Sequence, residues 1–182
     1  LTFGGSMLIA VLPWLPPLRK RSVALVDLAN CNGCTRCQED CPFTAITMIP
    51  RSDGRPFERE AAVNLDLCTG CGICAGACPT SSPFRRASAL VPGIDLADRP
   101  LVELRQKIHD ATANLTGGRR VLLLGCDHGI GTGKAATDNV AAVQLPCIGA
   151  LPPAFIDYVL SRNLADGIFL AGCKGGECYS RF

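Results

Sequence analysis

Four stretches with different hydrophobic patterns follow one another along the chain, at residues 1–22, 23–84, 85–118 and 119–182. Residues 1–18 are uncharged and mostly apolar, and Arg19, Lys20 and Arg21 close the run. About 18 such residues is the lower limit for crossing a bilayer, and a basic cluster at the exit marks the cytoplasmic side. A secretory signal carries its charge ahead of the apolar run instead. Pro13, Pro16 and Pro17 interrupt any helix in the last third. The expectation is the tail end of a membrane segment, with an apolar arm on the protein's own surface as the alternative. In the second stretch, short β-type runs at 23–28, 45–49 and 62–65 alternate with loops, and residues 51–56 (Arg-Ser-Asp-Gly-Arg-Pro) read as a turn. The third begins as a linker to about Asp98. Leu101, Leu104, Ile108, Ala111 and Leu115 then recur at three- and four-residue steps, an amphipathic helix with Asp98 as N-cap, Pro100 in its first turn and Gly117-Gly118 at its end. The fourth alternates apolar strand runs at 121–124, 140–145 and 167–171. Between the last two lies a helix over 152–164 that carries Phe155, Ile156, Val159 and Leu160 on one face. That pattern predicts a small α/β domain with a parallel sheet.

Composition changes the picture mainly through cysteine. The chain has 182 residues, with 18 Lys and Arg against 16 Asp and Glu, and a balance of +2 points to no nucleic acid or strongly charged partner. Aromatic content is only 5%, so small modules in this chain need staples beyond a hydrophobic core. The 12 cysteines supply candidates, as disulfides in an oxidising compartment or as metal ligands in a reducing one.

Spacing decides between those two for the first eight. Cys31, Cys34, Cys37 and Cys41-Pro42 repeat as Cys68, Cys71, Cys74 and Cys78-Pro79, each a C-x2-C-x2-C-x3-C-P run. Zinc sites use separate C-x2-C pairs, and disulfides impose no such spacing. The run is that of the bacterial ferredoxins, in which three closely spaced thiolates wrap one corner of an iron–sulfur cube and the fourth cysteine serves the other cluster. Residues 23–84 resemble the two-cluster bacterial ferredoxins, with a longer interval between the motifs. The assignment is Cys31, Cys34, Cys37 and Cys78 to one [4Fe–4S] cluster, and Cys68, Cys71, Cys74 and Cys41 to the other. With all eight thiolates on iron, this module offers no acid, base or substrate pocket, and no catalytic residue is assigned.

The last four cysteines follow the three strand runs of the fourth stretch. Cys126 and Cys173 each come one Gly after a strand, Cys147 one Pro after a strand, and Cys178 five residues after Cys173. Parallel strands end on one sheet edge, so the four converge there. Four thiolates suit a [2Fe–2S] cluster or an all-thiolate zinc site, and a redox-active thiol pair is a third reading. Leu124-Gly-Cys126, Leu145-Pro-Cys147-Ile-Gly and Leu170-Ala-Gly-Cys173-Lys-Gly-Gly-Glu-Cys178-Tyr make residues 121–182 similar to the delta subunit of methyl-viologen-reducing hydrogenase. That family usually has a further cysteine three residues after the first, where this chain has Gly129. The resemblance implies a [2Fe–2S] centre on Cys126, Cys147, Cys173 and Cys178, and electron transfer between hydrogenase and heterodisulfide reductase.

The fold expected is an α+β ferredoxin-like 2[4Fe–4S] module followed by a small α/β domain with a parallel sheet. The function expected is an electron-transfer subunit of an oxidoreductase complex rather than a stand-alone catalyst. Its partners would be hydrogenase, heterodisulfide reductase-like or cytochrome b-like subunits, at the cytoplasmic face of a membrane. The combination also resembles fused iron–sulfur subunits that follow a membrane cytochrome b-like domain, which the apolar lead fits.

Several other features are not promoted. Residues 129–134 (Gly-Ile-Gly-Thr-Gly-Lys) follow a strand, yet His128 stands where a P-loop needs Gly, Ala135 where it needs Ser or Thr, and Lys134 where the dinucleotide fingerprint needs Gly or Ala. His128 lies near enough to Cys126 to replace a thiolate, but a loop role is favoured. His109 on the helix is expected to be solvated. Arg85-Arg86 and Arg119-Arg120 are paired charges of little weight, and Lys174 beside Cys173 is a slight hint of an activated thiol.

Overall fold

The computed structural model describes residues 22–129 and 131–178. The apolar lead at 1–18 lies outside them. Among the described residues, no helix is long and apolar enough to cross a membrane.

The cysteine-rich half is two strand–loop–strand units laid against each other. Strand β1 (Ala24–Val26) enters the first cysteine loop, which holds the short helix α1 (Arg36–Glu39) and leaves as β2 (Ile46–Pro50). Strand β3 (Arg59–Val63) pairs antiparallel with β2, Ile46 opposite Val63, and enters the second loop with its helix α2 (Ile73–Ala77). Strand β4 (Ile94–Leu96) then returns to pair antiparallel with β1, Ala24 opposite Leu96. The stretch expected to be a linker therefore contributes a strand. Its apolar content is two residues, Ile94 and Leu96, too short a run to stand out in the sequence, although both are fully packed.

The helix expected after the linker is α3 (Leu101–Thr112). Its cap differs from the expectation. Asp98 accepts a hydrogen bond from the Ser22 hydroxyl, whereas Asp95 on β4 accepts from the Leu101 backbone N–H at 2.9 Å. Pro100 is extended, with φ −67° and ψ 152°, and this bend brings the first turn back over the end of β4. Burial pushes the Asp95 carboxyl up, opposed by its bonds from the Leu101 and Leu96 N–H groups.

Strands β5 (Val121–Cys126), β6 (Val140–Leu145) and β7 (Gly167–Ala171) form a parallel sheet in the order β6-β5-β7, with α4 (Ala154–Ser161) leading into β7. Leu122 and Leu124 of β5 pack with Ile108 of α3 and with Phe155 and Val159 of α4. Ala75 of α2 and Leu90 belong to the same core, so the two halves share packing. His109, expected to be solvated, is half-buried and bonds through Nε2 to the Tyr158 hydroxyl at 2.7 Å. The other side of α3 carries the solvent-facing Glu103–Lys107 pair.

Candidate metal centres

The two cysteine loops share one backbone design. Left-handed residues fall at matching places, Gly33 (φ 69°) and Thr35 (φ 67°) in the first loop, Gly70 (φ 71°) and Gly72 (φ 79°) in the second. Alternating handedness rolls successive N–H groups toward the inside of a loop, where they favour an anion. The backbone N–H of Ala24 donates to the Cys68 sulfur at 3.5 Å, while those of Gln38 and Ala75 close the tight turns onto the Thr35 and Gly72 carbonyls. Gly33 has no alternative. A Cβ there would lie 2.5 Å from the Arg59 carbonyl oxygen, on a backbone that disfavours any side chain. Gly33→Ala is therefore expected to lose the first loop's iron, because backbone strain of about 1–2 kcal/mol adds to a clash with β3 that no rotamer relieves. Iron analysis of the purified variant, which should fall by at least the iron of one cube, about four atoms, checks this.

The eight sulfurs surround two cavities. Cys31, Cys34, Cys37 and Cys78 line one, together with Met48, Ala61 and Ile94. Cys41, Cys68, Cys71 and Cys74 line the other, with Ala24, Ile46 and Leu96. The fourth cysteine of each motif thus faces the cavity of the other. Burial, with neighbouring thiolates, raises Cys37 to about 11 and Cys74 to about 12. Such thiols stay protonated at neutral pH unless a cation replaces the proton. Among the described residues, no three His, Cys, Asp or Glu side chains close on a single ion. Four cysteines that line one space without closing on a single ion fit a multi-iron cube, which is itself wide, better than one ion.

Thr80 is a site residue absent from the sequence-based set. Its hydroxyl accepts from the Gly93 N–H at 2.8 Å and lies 3.1 Å from the Cys78 sulfur, which leaves its own proton free for the thiolate. Nothing local marks it, because Gly93 is brought there by β4.

The last four cysteines gather where the parallel strands end. Cys126 closes the central strand β5, with Cys147 and Cys173 following the two flanking strands. The Cys126 and Cys173 sulfurs are 3.7 Å apart. Two thiolates on one tetrahedral metal at about 2.3 Å would sit about 3.8 Å apart. The bond to Cys126 is the main cause that pushes the Cys173 thiol up to about 11, and burial, Cys178 and Cys147 add to it. Cys147 is raised by burial and by the charges of Cys126, Cys71 and Cys178, against a lowering N–H from Gly149. Lys174 pairs with Glu177 at 3.0 Å on the surface.

Residues 30–82 match the 4Fe-4S dicluster domain, and residues 125–181 match the methyl-viologen-reducing hydrogenase, delta subunit. The chain joins a dicluster domain to a hydrogenase delta-subunit domain. Over 33 residues it is also 52% identical to the B subunit of the ion-translocating oxidoreductase complex of Edwardsiella ictaluri (strain 93-146), a segment that is 18% of this chain and 17% of that protein. The match of this chain's dicluster domain supports two [4Fe–4S] clusters.

The dicluster and delta-subunit domains meet along a seam of glycines. The 3₁₀ turn Ile148–Ala150, which directly follows Cys147, lies on α2, which directly follows Cys71. A Cβ on Gly76 would run into the Gly149 carbonyl oxygen and sit 3.0 Å from the Ala150 carbonyl carbon. One on Gly72 would meet the Ala150 Cβ at 2.9 Å, and one on Gly149 would meet Ile73 at 3.1 Å. Bare backbones let the domains approach at the place where Cys147 feels the charge of Cys71. Arg99 and Asp127 form an ion pair across the same boundary.

Proposed function

We propose that this chain is a three-site electron relay, with the second ferredoxin site as the junction to the delta-subunit domain. Cys31, Cys34, Cys37 and Cys78 hold the first [4Fe–4S] cluster, Cys68, Cys71, Cys74 and Cys41 the second, and Cys126, Cys147, Cys173 and Cys178 a [2Fe–2S] centre. When bound, the clusters supply one-electron chemistry at potentials set by charge, hydrogen bonds and burial. The chain's part is to place the ligands, exclude water and aim N–H groups at the sulfurs. The observation that carries the reading is the glycine seam, where α2 of the second loop packs on the turn that follows Cys147 and Cys147 feels the charge of Cys71. The partners fitting this arrangement are hydrogenase, heterodisulfide reductase-like or cytochrome b-like subunits, at the cytoplasmic face of a membrane.

The test is iron, acid-labile sulfide and zinc per chain in protein purified anaerobically. Two cubes and one [2Fe–2S] centre give about ten iron atoms, from four, four and two, with no zinc. About eight iron atoms with one zinc would make the delta-subunit site structural. Eight iron atoms without zinc, with Cys173 open to alkylation, would make it a dithiol, a use for which the 3.7 Å Cys126–Cys173 pair is also suited.

A further inference from the structure

The interval between the two cysteine motifs is long, and the structure gives that extra loop an occupation. Arg51 leaves the end of β2 and turns inward, its side chain only 3% exposed. One guanidinium nitrogen donates to the Cys31 carbonyl at 2.7 Å, and another to the Leu28 carbonyl at 2.6 Å. Nε and that second nitrogen also hold both oxygens of Asp53, at 2.5 and 2.9 Å, and the ring of Phe57 lies 5.3 Å from the guanidinium carbon. Arg55 from the same loop donates to the Ala29 carbonyl. Glu60, itself buried, anchors the loop by accepting from the Ser52 N–H and hydroxyl at 3.1 and 2.9 Å.

The matching turn of the second motif is built alike and charged differently. Asp27 accepts from the Ala29 N–H at the first turn, and Asn64 accepts from the Asp66 N–H at the second. Among the described residues, no arginine or lysine donates to the carbonyl oxygens of Leu65, Asp66 or Cys68. The repeat thus carries two near-identical ligand loops, of which one is gripped by a buried arginine, Arg51, with the more exposed Arg55 beside it.

We propose that Arg51 is a potential-setting residue for the cluster held by Cys31, and that the inserted loop exists to deliver it. Reduction of a cluster adds one negative charge to it, so a fixed cation behind a ligand's own carbonyl favours the reduced form and raises the potential. Lysine would be a poorer choice, because only a planar fork bonds two turn carbonyls and a carboxylate at once. Asp53 moderates the effect. Its carboxyl is held down to about 2, chiefly by the bond from Arg51, so it keeps its charge throughout the neutral range. Asp27 and Glu60 are the other acids near this turn, and Arg55 the other cation. The inference rests on the assignment of Cys31 to the first cluster.

The experiment is an EPR-monitored redox titration of the anaerobic holoprotein as wild type, Arg51→Met, Arg51→Lys and Asp53→Asn, with Cys31→Ser to assign the signals. Arg51→Met is expected to lower the midpoint of one cubane signal by about a tenfold change in its reduced-to-oxidised ratio, about 59 mV for one electron. Asp53→Asn, which leaves Arg51 uncompensated, is expected to raise the same signal, and Arg51→Lys to keep most of the wild-type value. Opposite signs separate a charge effect from loosened packing, which would move both variants the same way. Unchanged potentials, or shifts of one sign in Arg51→Met and Asp53→Asn, overturn the proposal. If Arg51→Met loses its iron, Asp53→Asn decides alone, an upward shift supporting the proposal and any other result overturning it. Cys31→Ser marks which signal belongs to the first cluster. A shift on the other signal rejects the role of Arg51 and leaves the relay standing. A Cys31→Ser protein with both signals unaltered rejects the ligand assignment instead.

Discussion

Replacing Cys78 by alanine is expected to cost the dicluster domain both of its clusters, not one. Cys78 belongs to the second motif but lines the cavity of the first, and Cys41 does the reverse. Each cavity is therefore closed only when both loops are in place. The domain has little else to hold it. Its core joins Ile46, Ile94 and Leu96 to small residues such as Ala24, Ala45 and Ala61 and to three of the cysteines themselves, Cys37, Cys68 and Cys74. Metal binding in such a module is folding free energy, and losing one staple frees the elements that shape the second site. Iron in the Cys78→Ala protein should fall by more than the four atoms of one cube, with loss of both cubane EPR signals and early thermal unfolding. A preparation that keeps four iron atoms and one intact signal would show that the halves are independent.

The second large effect is expected at a residue that binds nothing. Gly76→Val places a branched side chain where the Gly149 carbonyl and Ala150 already lie, with no flexible side chain there to move aside. Overpacking of this kind costs about 1–3 kcal/mol, and the easier relief is for the two domains to part rather than for either to unfold. The dicluster domain's own core does not include Gly76, so its clusters should form. The variant is expected to keep both cubane signals while the delta-subunit site is reduced much more slowly, at least tenfold in a stopped-flow experiment with a low-potential donor. Equal rates in variant and wild type would mean that electrons do not cross at this seam.

Much of this arrangement is legible in the order of the residues. The doubled C-x2-C-x2-C-x3-C-P run points to the cluster type because three cysteines of each set are local, spaced by loops of a few residues. The parallel sheet is legible in three apolar runs, each followed by a cysteine, and β6 and β7 fall where expected. The cap of α3 is not, because Asp95 stands six residues before Leu101 and reaches its N–H only through the bend at Pro100, while the nearer Asp98 is taken by Ser22. Arg120, in sequence merely half of a surface pair, bonds Asp166 and Asn163 and ties the start of β5 to the chain leading into β7.

The sequence by itself determined how the first eight thiols are set into two matching loops and which edge of the sheet collects the last four, since spacing and strand direction are properties of short segments. Tertiary structure alone decided what surrounds them. Arg51 lies 20 residues from Cys31, Thr80 meets Gly93 only through the return of β4, and Gly76 faces Gly149 only because two domains dock. Charges, hydrogen bonds and close approaches across such separations leave no period or motif in a chain. They arise when packing brings distant segments together, and they are what sets a potential and a path.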